Sequence, residues 1–233
     1  PGTGTVTYNG IEDQSIAGLT YYNLQIDKTN GSATLNSPTA ITNNFTLATG
    51  GQVDVNAALT VAGDINIGAS TILNVPSNNS ISIGGNWLRT GTFNAGAGTV
   101  TFNGTGAQTV NGTLFNDFVV NKPSGTLTLA NDLDINGNID IQNGIVDAVT
   151  FNVHRTVLGG SASMGAGTTV RFSGTALQIF DFAAVNIDAA STIEFYGTLP
   201  TAIPPTTYGN LTLSNGSANA KTMVGPTTVM GTL

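Results

Sequence analysis

Apolar and polar residues alternate along most of the chain in short stretches of three to five positions. The clearest copies of the pattern, apolar-x-apolar, Gly or Asn, polar, apolar-x-apolar, lie at residues 59–67 and 133–141. A period of two predicts short β-strands with one buried face, and no stretch keeps helical spacing over three turns. Gly or Asn between two strands permits a positive φ, which predicts a sharp corner.

These strand-corner-strand stretches recur at a short interval. Ile41, Val61 and Ile83 occupy the same place in successive copies. A short circuit of this kind is typical of one rung of a parallel β-helix, in which each rung buries its apolar side chains only against its neighbours. We therefore predict an all-β fold, a right-handed single-stranded parallel β-helix of about 20–22 residues per rung, with outward Thr and Asn in polar ladders.

A longer repeat contains these short ones. Residues 4–50 align with residues 98–144 without a gap, and 15 of the 47 positions are identical. The units are residues 4–97, 98–191 and a partial third at 192–233, which predicts one continuous solenoid. Pairs that return outside the first strand include Gln14 and Gln108, Gly18 and Gly112, Lys28 and Lys122, Gly31 and Gly125, and Leu35 and Leu129.

A row of immunoglobulin-like sandwiches is the alternative architecture, because a 94-residue unit matches the roughly 100 residues of such a domain. The shorter internal period argues against it. So do the many Gly and Asn residues and the presence of a single tryptophan, Trp87, which leaves the other units without a core Trp.

The composition supports a stacked fold and excludes several functions. Charged residues make up 8% of the chain, with 13 acidic and 6 basic residues and a net charge of −7. Like charges on adjacent strands repel, so a stack of rungs favours neutral Asn and Thr. Scattered bases argue against nucleic acid, the absence of cysteine excludes thiolate metal sites, and no apolar run is long enough for a membrane span. We expect any export signal to lie outside this segment.

Acidic residues cluster at Asp132, Asp134 and Asp140, with Asp147 nearby. Paired carboxylates suit general acid–base catalysis or Ca²⁺ binding, so this cluster is the candidate metal site. Unit one has Pro38, Ala40 and Thr46 at the matching positions. Because the repeat does not require the acids, we expect them to be solvated outward residues, and we expect no cofactor and no enzymatic activity.

Histidine and tyrosine provide the other candidates. His154 is the only histidine, and we interpret it as a surface or loop residue without a fixed acid partner. Tyr21 and Tyr208 align with Phe115, which predicts a core column. Tyr22 and Tyr196 are the candidates for exposure, where an aromatic ring could stack on the sugars of a surface polysaccharide.

The repeat resembles those of a known class of proteins. It combines Gly-Thr-Val-Thr-Phe-Asn-Gly-x3-Gln-x3-Gly (98–112), an aromatic residue followed by Asn-Leu (22–24, and with an inserted Gly at 208–211), and Val-x-Gly-x-Ile coils. This combination is similar to the repeat regions of very large surface and gliding-motility adhesins of Gram-negative bacteria. The resemblance implies export by dedicated secretion machinery, an extracellular or outer-surface location and adhesion, and it implies no catalytic residue.

The sequence thus favours a structural or adhesive repeat whose partners are neighbouring repeats of the same or an identical chain. Two alternatives stay open. One is a subunit of an extracellular filament that assembles through its β-helix ends, since those ends are unpaired sheet edges. The other is a carbohydrate-binding module.

Overall fold

The chain is a β-solenoid. In the computed structural model, which describes residues 2–112, 114–155, 157, 159–174, 182–198, 201–214 and 221–233, there are thirty strands and no helix among these residues. Every strand pair in the described ranges is parallel, and the strands stack through about 10 turns. The predicted β-helix is confirmed. The immunoglobulin-like alternative is wrong, because such sandwiches are built from antiparallel sheets.

Three stacks of strands form the faces of the solenoid, and the chain visits them in turn. The first stack runs through β1 (Thr5–Tyr8), β4 (Asn23–Asp27), β7 (Phe45–Thr49), β10 (Ile65–Ile67), β13 (Trp87–Arg89), β16 (Gln108–Val110), the second part of β18 (Asp117–Leu129), the second part of β20 (Ile139–Val149), β23 (Thr169–Phe172), β25 (Thr192–Phe195) and β28 (Asn210–Leu213).

The second stack runs through β3 (Thr20–Tyr21), β6 (Thr39–Ile41), β9 (Leu59–Val61), β12 (Ser80–Ile83), β15 (Thr99–Phe102), the first parts of β18 and β20, β22 (Ser161–Met164) and β24 (Ala184–Ile187). Later in the chain, β27 (Thr207–Tyr208) pairs with β30 (Thr228–Val229). β18 and β20 are long because each turns from the second stack into the first, and the register of their pairing shifts at this corner, between Val120 and Thr126.

The third face is divided into shorter sheets. Its strands are β2 (Gln14–Ile16), β5 (Ser32–Leu35), β8 (Gln52–Val55), β11 (Ile72–Asn74) and β14 (Thr92–Asn94), then β17 (Leu114–Phe115), β19 (Leu133–Ile135) and β21 (Val153–Arg155), and finally β26 (Thr201–Ile203) and β29 (Lys221–Met223).

The length of a rung varies more than the sequence predicts. One circuit leads from Thr5 to its partner Asn23, and a later circuit leads from Val146 to its partner Val170. The later circuit is about one third longer than the first, so the predicted range of rung lengths is too narrow. In the second stack β3 has two residues and β22 has four, so strands and corners both take up the difference.

Alternate positions of each strand point into a continuous apolar core. Ile41, Val61 and Ile83 are direct neighbours in the second stack, as the sequence predicts, and each is 1% exposed or less. The outward positions form the expected polar ladders. In the third stack Asn94 donates to Asn74 at 2.6 Å, and Asn74 donates to Asp54 at 2.9 Å.

The predicted positive φ occurs at corner glycines such as Gly31 and Gly51, but not at every corner. Positive φ among the described non-glycine residues is confined to Ser70 and Val149, so no described corner Asn uses it. The corner glycine Gly63 also lacks a positive φ. A Cβ there would lie 2.6 Å from the Asn43 carbonyl oxygen of the rung before. Glycine is needed at this corner because two rungs approach closely, rather than because the backbone is left-handed.

Corner Asn and Asp side chains connect successive rungs. The residue before the first buried position of a strand accepts a hydrogen bond from the backbone N–H of the equivalent residue one rung later. Asn44 Oδ1 accepts from Asp64 N at 2.9 Å, and Asp64 Oδ1 accepts from Asn86 N at 2.6 Å. The same contact joins Asn23 to Asn44, Asn86 to Thr109, Asp117 to Asn138, Asn138 to Ser161, Asp132 to Asn152 and Asn210 to Thr232.

The 94-residue sequence unit and the rung are out of phase. β1 and β15 are equivalent in the sequence repeat, yet β1 lies in the first stack and β15 lies in the second. A unit is therefore not a whole number of rungs. Equivalent residues of the first two units lie on different faces.

Candidate functional site

The three acidic candidates serve three separate interactions. Asp132 belongs to the corner contacts, where its Oδ1 accepts from the backbone N of Asn152 at 2.8 Å. Asp140 accepts a hydrogen bond from Gln142 at 2.7 Å. Within the described ranges, no group of three His, Asp or Glu side chains is placed to hold a metal ion. The structure does not bring Asp132, Asp134 and Asp140 together as one site.

His154 has an acid partner, contrary to the sequence interpretation. It pairs with Asp134 of the rung before, and its Nε2 lies 3.1 Å from Asp134 Oδ1. The two residues are separated along the chain by one rung of the predicted length, so the repeat period could have connected them. One rung of the third stack makes them neighbours. The pair lies on an outward strand face and both side chains are partly exposed.

The tyrosines that align with Phe115 are in the core, as the repeat predicts. Tyr21 is 6% exposed, and Tyr208 and Phe115 are fully buried, although Phe115 lies on a different face from Tyr21. Each phenol donates to the carbonyl four residues earlier, from Tyr21 to Ala17 at 2.9 Å and from Tyr208 to Pro204 at 2.8 Å. Burial raises the pKa of Tyr21 to about 12, and it raises the pKa of Tyr208 still further.

Tyr22 and Tyr196 are half-buried. The ring of Tyr196 is already engaged, because the Arg171 guanidinium carbon lies 4.5 Å from its centroid and its hydroxyl donates to Asp147 at 2.9 Å. Burial raises the pKa of Tyr196, and the hydrogen bond to Asp147 acts in the same direction. One face of this ring is therefore not free for a sugar.

A ladder of side chains with alternating charge lies next to Tyr196 in the first stack. Asp147, Arg171 and Glu194 are direct cross-strand neighbours on three successive rungs. Arg171 Nε lies 3.0 Å from Glu194, and Nη1 lies 3.8 Å from Asp147. Opposite charges at adjacent positions avoid the repulsion that like charges would cause. The ladder therefore places these charges where they attract one another.

Two lysine side chains lie inside the solenoid, where a charge is costly unless it is hydrogen-bonded. Lys28 and Lys122 are equivalent in the repeat, and both are fully buried. Lys122 Nζ donates to the carbonyls of Gly104 and Gly106, each at 2.9 Å, and to the Gln108 side-chain oxygen at 2.5 Å. We call these three acceptors the oxygen cage. Burial lowers the pKa of Lys122.

Unit one repeats this arrangement. Lys28 Nζ donates to Gly10 O at 2.5 Å, Glu12 O at 2.7 Å and Gln14 Oε1 at 3.0 Å. In the sequence, the lysine pair and the pair of Gln14 and Gln108 stand among the repeated positions without a predicted role. Because these lysines and glutamines are identical in an alignment that otherwise varies, their repetition was the sequence signal for a shared role.

Comparisons with known proteins add no relative. No protein-family model matches the chain, and neither the curated proteins nor the solved structures contain a match. Within the described part of the chain, no helix has the length and apolar character to cross a membrane.

Proposed function

We propose that this chain is a rod-like structural segment of an extracellular bacterial surface protein, which extends the protein and displays its faces for adhesion without catalysing a reaction. One observation carries the proposal. Stacks of parallel strands continue through about 10 turns, and the corner Asn and Asp side chains are engaged in joining one rung to the next. The surface location rests on the resemblance of the repeat to adhesin repeats.

The physical logic of a stalk agrees with this assignment. Each rung stabilises only its neighbours, so length can be added without redesigning the core. Alternation of Asp147, Arg171 and Glu194 places these charges where they attract. Much of the remaining surface is supplied by neutral polar residues, which allows identical units to stack without electrostatic repulsion.

Small-angle X-ray scattering and surface labelling test the two parts of the proposal. A stack of about 10 turns at roughly 4.8 Å per strand spacing should scatter as a stiff rod on the order of 50 Å long. Antibodies against the chain should label intact, unpermeabilised cells. Scattering from hinged beads would contradict the rod, and labelling only after permeabilisation would contradict the surface location.

A filament subunit is the second candidate, since the free edge of β1 could take a strand from another chain. Val6 is 45% exposed, whereas its equivalents Val100 and Ile193, each covered by a further rung, are 2% and 1% exposed. Another strand placed on β1 would bury Val6 to the same extent. Sedimentation over a range of concentrations should then show assembly that Val6→Lys abolishes. A concentration-independent monomer would remove this candidate.

The carbohydrate-binding alternative has less support, because Arg171 already covers the ring of Tyr196. Tyr22 remains the candidate residue for this alternative. Binding of the chain to a glycan array, lost in Tyr22→Ala, would restore it.

A further inference from the structure

The same glycine carbonyl receives a lysine ammonium in all three units. Gly10, Gly104 and Gly197 follow equivalent strands, β1, β15 and β25. Their carbonyls accept from Lys28 at 2.5 Å, Lys122 at 2.9 Å and Lys221 at 2.6 Å, respectively.

Lys221 does not occupy the repeat position of the other two lysines. It lies further along the chain from Gly197 than the other two lysines lie from their own glycines. An ammonium therefore reaches the same carbonyl from two different places in the sequence.

The oxygen cage is a local structure and does not depend on one face of the solenoid. Gly10 follows β1 in the first stack, and Gly104 follows β15 in the second. Despite this change of face, both cages use the carbonyls of two alternate loop residues and a glutamine oxygen. The geometry of the cage is therefore set within the loop and does not depend on the face on which the loop lies.

All three acceptors in each cage are neutral oxygens. Carbonyl and amide oxygens are the ligands by which proteins coordinate Ca²⁺ and K⁺. Three N–H donors of an ammonium match three such acceptors, and hydrogen bonds from a charged donor are roughly twice as strong as neutral ones. The lysine thus supplies the positive charge that a metal ion supplies elsewhere.

One glycine with positive φ lies against the cage, and another lies against the base of the lysine side chain. At Gly125, with φ of 73°, a Cβ would overlap the Gly106 carbonyl. At Gly144, with φ of 99°, a Cβ would lie 2.8 Å from Lys122 Cβ. Gly31, the counterpart of Gly125, also has a positive φ. The two units therefore share the backbone conformation that lets the chain approach the cage closely.

We propose that the oxygen cage is a cation site of the ammonium class, which the chain fills with its own lysine. Removal of the lysine side chain then creates a binding site for a small primary alkylammonium ion. This site is independent of the proposed stalk function. It assigns a ligand chemistry to residues that the adhesive function does not use.

Lys122→Ala tests the proposal, because n-propylammonium has the length of the deleted atoms. We expect the variant to have a lower Tm, and its Tm should rise with the logarithm of propylammonium concentration, as binding to the folded state requires. Tetramethylammonium has no N–H donor and should give no such rise. The wild type and Asn121→Ala, an exposed neighbour, should not respond to propylammonium. An equal response in all proteins would overturn the proposal.

Two further measurements keep the result decisive. If Lys122→Ala folds only when propylammonium is present, the proposal is supported. If the variant fails to fold in the presence of either amine, the proposal is overturned. Lys122→Met keeps the apolar stem but removes the charge. Amide exchange at residues 104–107 should become at least about tenfold faster in this variant, since the carbonyls lose their donors. Exchange equal to that of the wild type would show that only the stem matters, and it would overturn the proposal.

Discussion

At the residue scale, the corner positions show how one side chain can connect two rungs. Asn44 takes part in two such contacts. Its backbone N donates to Asn23 Oδ1 at 3.1 Å, and its own Oδ1 accepts from Asp64 N. The sequence correctly predicts where the corners lie. It does not reveal this contact, because the partner N–H lies one rung away and no local pattern identifies it.

Asn44→Ala should lower the free energy of unfolding by about 1–2 kcal/mol, because the Asp64 N–H loses its acceptor in a partly buried corner. Asn66→Ala, at an exposed position of the next rung, is the matched control and should change stability by less than about 0.5 kcal/mol. Urea unfolding followed by the fluorescence of the buried Trp87 measures both. Equal effects would show that the corner contact contributes nothing specific.

The buried tyrosines predict a loss of stability in alkali. The pKa of Tyr21 is raised from 10.0 to about 12 by burial and by its hydrogen bond with Tyr8. A raised pKa means that the contribution is fully present below pH 10 and is lost as pH rises toward 12. Unfolding measured across this window should show a smaller alkaline loss in Tyr21→Phe than in the wild type. Identical profiles would contradict the assignment.

At the element scale, each short strand is stabilised mainly by its neighbours in the stack. β12 has only four residues, and its buried Ile83 lies between Val61 below and Phe102 above. The alternation of apolar residues was enough to predict such strands and this column. The sequence could not show that β18 and β20 continue around a corner, because Gly125 and Gly144 indicate a break, whereas each strand resumes pairing in the first stack after a shift of register.

Ile83→Ala should lower the free energy of unfolding by about 2–5 kcal/mol, because the column above and below holds a cavity open. Leu88→Ala is the control, since Leu88 is 38% exposed and points outward from β13, and it should cost far less. Denaturant unfolding compares the two variants. A small effect of Ile83→Ala would show that the rungs close over the gap.

At the scale of the whole molecule, the fold is a sum of neighbouring contacts. The overall class could be predicted because the rung period and the low charge both point to stacking. The lysine cages could not be predicted, since they depend on loop geometry and on register between rungs of unequal length. Asp134 and His154 are separated by one rung of the predicted length, so their pairing follows from the period once the strands are located.

Hydrogen exchange should be slowest in the middle of the rod. In the first and second stacks, the strands from β10 to β20 pair with a strand on each side, whereas β1 has a partner on one side only among the described residues. We expect amides in the central strands to exchange at least about tenfold more slowly than those in β1, since end rungs open locally. Uniform protection along the chain would indicate that the solenoid opens only as one cooperative unit.

The sequence unit is not a whole number of rungs, and this determines which faces a longer array would present to its partners. A side chain presented outward by β1 is presented by β15 in a different direction. The equivalent strands β1, β15 and β25 lie in the first, second and first stacks, so a recurring contact residue is shown on two faces and not in a single row. Such a rod could engage partners on two sides, and a flat substrate could reach only a fraction of its copies at once, which limits avidity toward planes and favours attachment within a mesh.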